Sequence, residues 1–316
     1  MPIIFDITHT TEYRYAQPVA IGEHRLLFRP RESHDLRVLA TDLQVDPGPA
    51  DIRLIQDAYS NSIALVEPVS PADHLRLTCL FTVEHTGERA LDLPLAPGAE
   101  TYPFEYSSED RLVLHHFLLP FYDTDDALMQ WARGFIRTGG PTESRQLLVD
   151  MTRHIRESMT YQPREEEGVQ APGETLKLRT GSCRDFATLM IEAVRRLGYA
   201  ARFVSGYVYT PEQPAGEQRA ASGATHAWLQ VYLPGAGWIT FDPTNNLIGG
   251  TDLIRVAYAR HAGYASPVSG TWVGAASDFL GMTVNVQVVK REPPVALPPV
   301  AAAPAPLEVV EPAEAA

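Results

Sequence analysis

The feature that most constrains this chain is a helix with one committed face. Phe186, Leu189, Met190, Ala193, Val194 and Leu197 recur at i, i+3, i+4, i+7, i+8 and i+11, the apolar stripe of a 3.6-residue period. Gly198 follows, suited to the left-handed C′ position that ends such a helix. Three runs of strand character come next, ARFVSGYVYT, THAWLQVYL and WITFD, rich in β-branched and aromatic residues. Helices followed by antiparallel strands imply an α+β unit, with this helix packed on the sheet that the strands form.

Two further helical stretches precede it. One begins near Asp125 in DDALMQWARGFIR. The other opens at Pro141-Thr142-Glu143, and in it Leu147, Leu148, Met151, His154, Ile155 and Met159 share a side. The chain from Ile3 to about Asp92 is of another kind. Short runs such as FDITHTTEYRY, HRLLFRP and HLRLTCLFTVEHT alternate with the turn clusters DPGPADIR and SPADH, the pattern of an antiparallel β-sandwich-like unit. Residues 93–126, rich in proline and tyrosine, read as a linker packed against both halves. The expected organisation is therefore a β-rich domain at 1–92, a connecting segment at 93–126 and a second domain at 127–291. From Glu292 to the end the chain is almost wholly Pro, Ala, Val and Glu, a composition expected to be disordered.

Charge and cysteine usage narrow the function classes. The 39 acidic against 26 basic residues give a formal charge of −13, which repels phosphate backbones and anionic membrane surfaces. Neither nucleic acid nor membrane is an expected partner. The opening MPIIFDITHTTEYRY lacks the basic and apolar stretches of a signal peptide, and no apolar run approaches the roughly 20 residues of a bilayer span. A cytoplasmic location is the expectation. The 2 cysteines, Cys79 and Cys183, are too few for a disulfide framework and lack zinc-type spacing. His115-His116, His9, His24 and His34 likewise lack partners at metal-ligand spacing. No metal and no cofactor is expected.

Cys183 sits in TGSCRDFA, where Gly181 and Ser182 form a turn and the amphipathic helix starts at or just after the cysteine. The first N–H groups of a helix have no partner within it and carry the positive end of its dipole. They favour a thiolate at the sulfur and can bind an oxyanion formed when that thiolate attacks an amide carbonyl. Cys79 shows the opposite setting. Within HLRLTCLFTV it lies on a strand beside Leu77, Leu80 and Phe81, and it is assigned to the core.

The base and its orienting carboxylate are sought on the hairpin that THAWLQVYL and WITFD form across the turn PGAG. Register decides the matter, because side chains alternate across a sheet. Pairing Leu233 with Trp238 would set Asp242 opposite Leu229, away from His226. Pairing Tyr232 with Trp238 sets Asp242 opposite Trp228, so His226 becomes its diagonal neighbour on the same face, within reach of a hydrogen bond. A His–Asp pair thus requires an odd connection of three or five residues, with Gly235 or Gly237 left-handed or bulged.

These segments together, GSCRDFATLMIEAVRRLGYAARFVSGY and THAWLQVYLPGAGWITFDPTNN, closely resemble the bacterial transglutaminase-like family of cysteine enzymes. YRYAQPVAIGEHRLLFRPR, with DAYSN at 57–61, resembles the β-rich region that commonly precedes the core in that family. The resemblance implies a papain/transglutaminase-like core with Cys183 as nucleophile, His226 as its base and Asp242 orienting the base, at intervals of 43 and 16 residues. Where family members often continue into a Gly-Arg-Asp-Tyr segment, this chain has Arg260, His261 and Ala262 and no aspartate.

Four residues are secondary candidates. Asp185 is expected to brace the helix through Arg184 or Arg202. Trp228 and Trp238 are candidates to wall the site, with plain packing the favoured reading for strand aromatics, and Tyr161 is a candidate donor to the oxyanion, with a structural role the favoured reading. The implied reaction is acyl transfer from a peptide or glutamine-side-chain amide through a thioester, the substrate being a peptide or protein. Hydrolysis by a peptidase or amidase is expected ahead of transamidation, since no motif marks the water-poor amine site that a cross-linking transglutaminase needs. A non-catalytic protein-binding scaffold is the alternative of another class.

Overall fold

The computed structural model describes residues 2–87, 91–123, 126–164, 168–211 and 223–291. The Pro/Ala-rich tail and residues 212–222 of the polar loop after ARFVSGYVYT lie outside the described residues.

The first half is an antiparallel sheet built on one very long strand. β1 (Ile3–Leu26) buries Phe5, Ile7, His9 and Thr11 at every second position, the period of a strand with one face on the core. β2 (Leu36–Asp46), β3 (Ala50–Gln56), β4 (Ser62–Pro68) and β5 (Ala72–His85) complete the order β2-β5-β1-β4-β3. The first part of β1 pairs with β5, from Ile3 opposite His85 to Arg14 opposite His74, and its last residues pair with β4. One strand therefore serves both halves of a curled, sandwich-like sheet.

The segment expected to be a linker carries structure of its own. β6 (Thr101–Tyr102) precedes α1 (Ser108–Leu118), whose start is capped by the Ser107 hydroxyl accepting from the Asp110 N–H at 3.0 Å. Only Leu114 and Phe117 of α1 are buried, too narrow a stripe to show as periodicity. After α2 (Asp126–Arg133), β7 (Thr142–Glu143), α3 (Ser144–Ser158), β8 (Thr160–Tyr161), α4 (Pro172–Leu178) and β9 (Thr180–Gly181) comes α5 (Cys183–Arg196).

α5 lies on a sheet of order β13-β12-β11-β10-β14. Its strands are β10 (Ala201–Val208), β11 (His226–Leu233), β12 (Gly237–Asp242), β13 (Leu247–Ile248) and β14 (Leu253–Ala259). This is the α+β core expected from the sequence, except that α5 is buried nearly all round. Glu192 and Arg195, both 1% exposed in their side chains, pair at 3.0 Å on the helix's second face. There Glu192 accepts the N–H groups of Phe121 and Tyr122. The connecting segment therefore covers α5 from behind, and the buried carboxylate is satisfied by a cation and backbone donors.

β15 (Val268–Val273) and β16 (Phe279–Lys290) return to the first sheet, pairing with the second and first parts of β1 respectively. By strand pairing, residues 268–290 therefore belong with the N-terminal sheet and not with the unit spanning 127–291. Period-2 alternation says that a segment is a strand and is silent on its partner. The two halves share one continuous apolar core. Buried polar contacts cross between them: Arg255 on β14 holds both oxygens of Asp35, at 2.7 and 2.5 Å, and the Tyr207 hydroxyl donates to the Phe28 carbonyl at 2.9 Å.

Candidate active site

Cys183 is the first residue of α5, and Ser182 at the N-cap is extended. Asp185, fully buried, closes the first turn. Its Oδ2 accepts the Ser182 N–H at 2.8 Å and the Ser182 hydroxyl at 2.9 Å, while its Oδ1 accepts the Gln170 N–H at 2.8 Å and the Arg164 guanidinium at 2.9 Å. The brace expected of Asp185 thus exists, but its cation is Arg164, neither Arg184 nor Arg202. Arg202 instead lies over the rings of Trp238 and Tyr258, at 4.0 and 3.5 Å, and donates to Gln230. A side chain at Gly181 would meet the Asp185 Cβ at 2.9 Å, so the turn before the cysteine must be small.

The hairpin has the odd register that a His–Asp pair requires. Tyr232 faces Trp238 and Leu233 faces Gly237, leaving Pro234, Gly235 and Ala236 as the loop, with φ of +88° at Gly235 and +75° at Gly237. The same register carried one pair further sets Asp242 opposite Trp228 and diagonal to His226. His226 Nε2 donates to Asp242 Oδ2 at 2.8 Å, and both side chains are fully buried. The Asn245 amide donates to the same oxygen at 2.8 Å, and the Thr244 N–H to Oδ1 at 2.9 Å.

The electrostatics follow from that geometry. Burial alone would push the His226 imidazole down, but the charge and hydrogen bond of Asp242, with a smaller contribution from Cys183, lift it to about 10. Burial would push Asp242 up. His226, Asn245 and the Thr244 N–H together hold its carboxyl below the usual range. The pair is therefore an imidazolium facing a carboxylate at neutral pH. With Nε2 committed to Asp242, Nδ1 is the ring nitrogen left for the sulfur; it is buried and makes no hydrogen bond of ordinary geometry. A cation beside a cysteine sulfur and a helix N-terminus beneath it are the two influences that favour a thiolate.

The sulfur opens into a cleft of about 300 Å³. The cleft is lined by Tyr161, Pro163, Arg164 and Val169, by Ser182, Cys183 and Arg184 around the helix start, and by Ala262, Gly263, Ala265, Ser266 and Pro267. Tyr161 is brought two positions from Cys183 because β8 pairs in parallel with β9, Tyr161 opposite Gly181. Burial, with the nearby Cys183 adding to it, pushes its phenol up to about 12, so the hydroxyl remains a donor across the physiological range.

The two tryptophans divide. Trp228 does not line the cleft: it is 1% exposed, packs with Val204, Val208, Leu253 and Tyr258, and lies 5.7 Å ring to ring from His226. Gly206, opposite His226, makes room for it, since a Cβ there would meet the Trp228 ring at 2.7 Å and the Ile254 carbonyl oxygen at 2.2 Å. Trp238 is not at the site. It sits four residues from Asp242 on an extended strand, roughly 13 Å away at about 3.3 Å per residue, packed edge-on against Phe117.

Arg164, Asn245 and the 262–267 wall were not singled out from sequence. Asn245 lies in the DPTNN stretch quoted for the resemblance, so its nearness to Asp242 was the available signal. Where the family's Gly-Arg-Asp-Tyr segment would run, His261 stacks on Phe121 at 4.0 Å and bonds the Tyr122 hydroxyl at 2.9 Å. The wall after it contributes no carboxylate to the cleft.

Comparison with known proteins agrees with this architecture. The model of the transglutaminase-like superfamily matches residues 130–243, and that of the bacterial transglutaminase-like N-terminal region matches residues 5–84. An uncharacterised protein of Mycobacterium tuberculosis is 30% identical over 303 residues, covering 91% of this chain and 93% of that one. The chain belongs to the transglutaminase-like superfamily. A protein-glutamine gamma-glutamyltransferase of Pseudomonas aeruginosa is 36% identical over 67 residues, 21% of this chain and 10% of its own length. Among solved structures, a Cytophaga hutchinsonii protein described as a candidate cysteine protease superposes with a TM-score of 0.68 at 20% identity, over 92% of each chain. It shares the fold.

Proposed function

We propose that this protein is a cysteine-dependent acyl-transfer enzyme that acts on peptide or glutamine amides through a thioester on Cys183. The observation that carries the proposal is that Cys183, at the start of α5, lines one cleft with a His226 whose far nitrogen is held by Asp242 at 2.8 Å. The thiolate attacks the amide carbonyl carbon, forming the C–S bond and moving the π electrons onto oxygen. The first N–H groups of α5 and the Tyr161 hydroxyl are the donors assigned to that oxyanion. Collapse breaks the C–N bond, and the His226 imidazolium gives its proton to the departing nitrogen. The neutral imidazole then takes a proton from water or from an amine, which displaces the thiolate. Asp242 keeps the ring oriented and its cationic form stable throughout.

Hydrolysis is favoured over transamidation. The cleft beside the sulfur is open to water, which favours water as the second acceptor of the acyl group. The name of the Pseudomonas relative supports a glutamine side chain as one acyl donor, and cross-linking by transamidation is the alternative outcome. The test is incubation with glutamine-containing peptides with and without a primary amine. Ammonia release with a carboxylate product supports hydrolysis, and an amine adduct supports transamidation. A protein whose Cys183 reacts with iodoacetamide at pH 6 no faster than Cys79 would instead be a scaffold.

A further inference from the structure

β3 ends its row of strands, and among the described residues nothing pairs with its outer edge. Which of its groups face outward follows from the pairing with β4. The Val69 N–H donates to the Pro49 carbonyl at 3.1 Å, and the Asp57 N–H to the Asn61 carbonyl at 3.2 Å. Residues 49 and 57 therefore sit in hydrogen-bonded pairs, and with the unbroken register between them so do Asp51, Arg53 and Ile55. Ala50, Ile52, Leu54 and Gln56 turn their backbone groups the other way, to the free edge. Their side chains continue the core face of the sheet. Buried His24 and Val66 lead across to Ile52, and buried Leu26 and half-buried Ala64 lead to Leu54. Cover stops there, for Ile52 is 42% and Leu54 78% exposed. Edge strands are kept single by bulges, by cover or by charges that repel a copy. β2 has a register shift between Val38 and Ala40, and Gly223 meets part of β16, its carbonyl accepting the Val286 N–H at 2.9 Å. β3 has neither device, and its two charges, Asp51 and Arg53, are of opposite sign.

We infer that β3 is the contact of a two-fold dimer, in which a second copy of this chain adds its own β3 antiparallel to the free edge and the sheet runs on from one protomer into its partner. The inference is independent of the reaction at Cys183. The outward groups allow registers in which even positions meet, and charge chooses among them. Centred on Leu54, Asp51 would face the partner's Asp57. Centred on Arg53, that side chain would face its own copy. Centred on Ile52, Asp51 faces the partner's Arg53 and Arg53 the partner's Asp51, while Ile52 packs on its copy and Leu54 on the partner's Ala50. Arg53 also holds Glu23 and lies 3.7 Å from Asp51 of its own strand, so the contact extends an existing charge network and needs no bare cation. At about 3.3 Å per residue the edge is about 23 Å long. That is short of a standard interface, and the dimer is a weak one that forms as concentration rises.

Sedimentation velocity of the full chain over a concentration series tests this. The wild type is expected to pass from monomer to dimer. Asp51→Arg and Arg53→Asp each set like charges against each other at two symmetric places, and each is expected to raise the dissociation constant about tenfold. Mixed in equal amounts, the two variants oppose arginines to aspartates at both places, and the mixed dimer is expected to regain wild-type affinity. Misfolding of either variant would not produce that recovery. Ile52→Pro removes an N–H that β4 does not use and is expected to abolish the dimer while Cys183 reacts with iodoacetamide at its wild-type rate. A wild type that stays monomeric throughout overturns the inference, as does a dimer that neither charge reversal weakens or a mixture that fails to recover. Slow hydrogen exchange at the Ile52 and Leu54 amides in the monomer would mean that another segment of the same chain holds the edge, and would overturn the second copy as its occupant.

Discussion

Cys79 and Cys183 are buried to nearly the same degree, 3% and 7% exposed, so burial cannot be what distinguishes them. Cys79 lies in the middle of β5 between His9 of β1 and Leu43 of β2. There desolvation, with the Asp42 charge adding to it, pushes the thiol up to about 12. Every backbone donor around it is consumed by sheet pairing. Cys183 occupies a helix start, where donors are left over, and it faces an imidazolium. What separates an inert thiol from a usable one here is the direction of nearby dipoles and charges, not the amount of surface left open.

The sharpest way to break this comparison is to exchange each sulfur. Cys183→Ala is expected to lower kcat on a glutamine peptide by about a thousandfold or more, as for other nucleophile removals. If Cys183→Ala retained activity and Cys79→Ala lost it, the assignment of the two settings would be inverted.

Next in size is Asp242→Asn, expected to cost about a thousandfold in kcat because the ring loses both its orientation and its cationic bias. The pH dependence carries a second signature. His226 is raised above its unfolded value of 6.5 to about 10. Its stabilisation is therefore complete below about pH 6.5 and is lost as pH rises through about 10. Asp242 is lowered from 3.8, so its contribution holds above that value and is lost as pH falls through its folded pKa. Melting temperatures across this range should decline toward pH 10 in the wild type, and that slope should disappear in Asp242→Asn. An unchanged slope would mean that His226 does not carry the charge assigned to it.

How much of this difference could be read before any coordinates existed depends on whether the physics was local. The capping geometry at Cys183 is a matter of five consecutive residues and was legible. So was the hairpin register, because a PGAG turn admits few loop lengths and only odd ones place His226 and Asp242 on one face. Arg164 was not legible as the partner of Asp185, because the two meet across a separation of 21 residues, which no local pattern encodes. Trp238 follows the packing reading favoured for a strand aromatic rather than the alternative of walling the site: it shares a sheet face with Asp242, and face says nothing of distance along the strand. The return of 268–290 to the first sheet is a long-range pairing with β1, which no pattern within those residues encodes.

Asp185→Ala probes the helix start that sets Cys183 apart. It removes an acceptor for four hydrogen bonds and leaves buried donors on Ser182 and Gln170, at an expected cost of about 2 to 3 kcal/mol in denaturant unfolding. Alkylation of Cys183 should slow with it, since the turn that aims the sulfur loosens. Iodoacetamide labelling of Cys79 in the folded protein should not change. Parallel slowing of both would point to global destabilisation and remove the local explanation.

The smallest expected effect belongs to Cys79→Ala. The side chain is buried on the interior strand β5 and near Tyr207, whose phenol it helps to push up. Truncation should therefore cost about 1 kcal/mol, in the ordinary range for loss of a small buried group. Turnover should be unaltered. Tyr207 ties the two halves together through Phe28 and His9, so Cys79→Ser tests more than volume. It places a hydroxyl where a weak donor stood, beside a buried network that already includes the hydroxyls of Thr11 and Tyr207. If the serine variant is less stable than the alanine variant, the site is a dry packing position and the inert reading of Cys79 is sharpened. If serine is the more stable, the site tolerates polarity, and the contrast with Cys183 then rests on the imidazolium and the helix start alone.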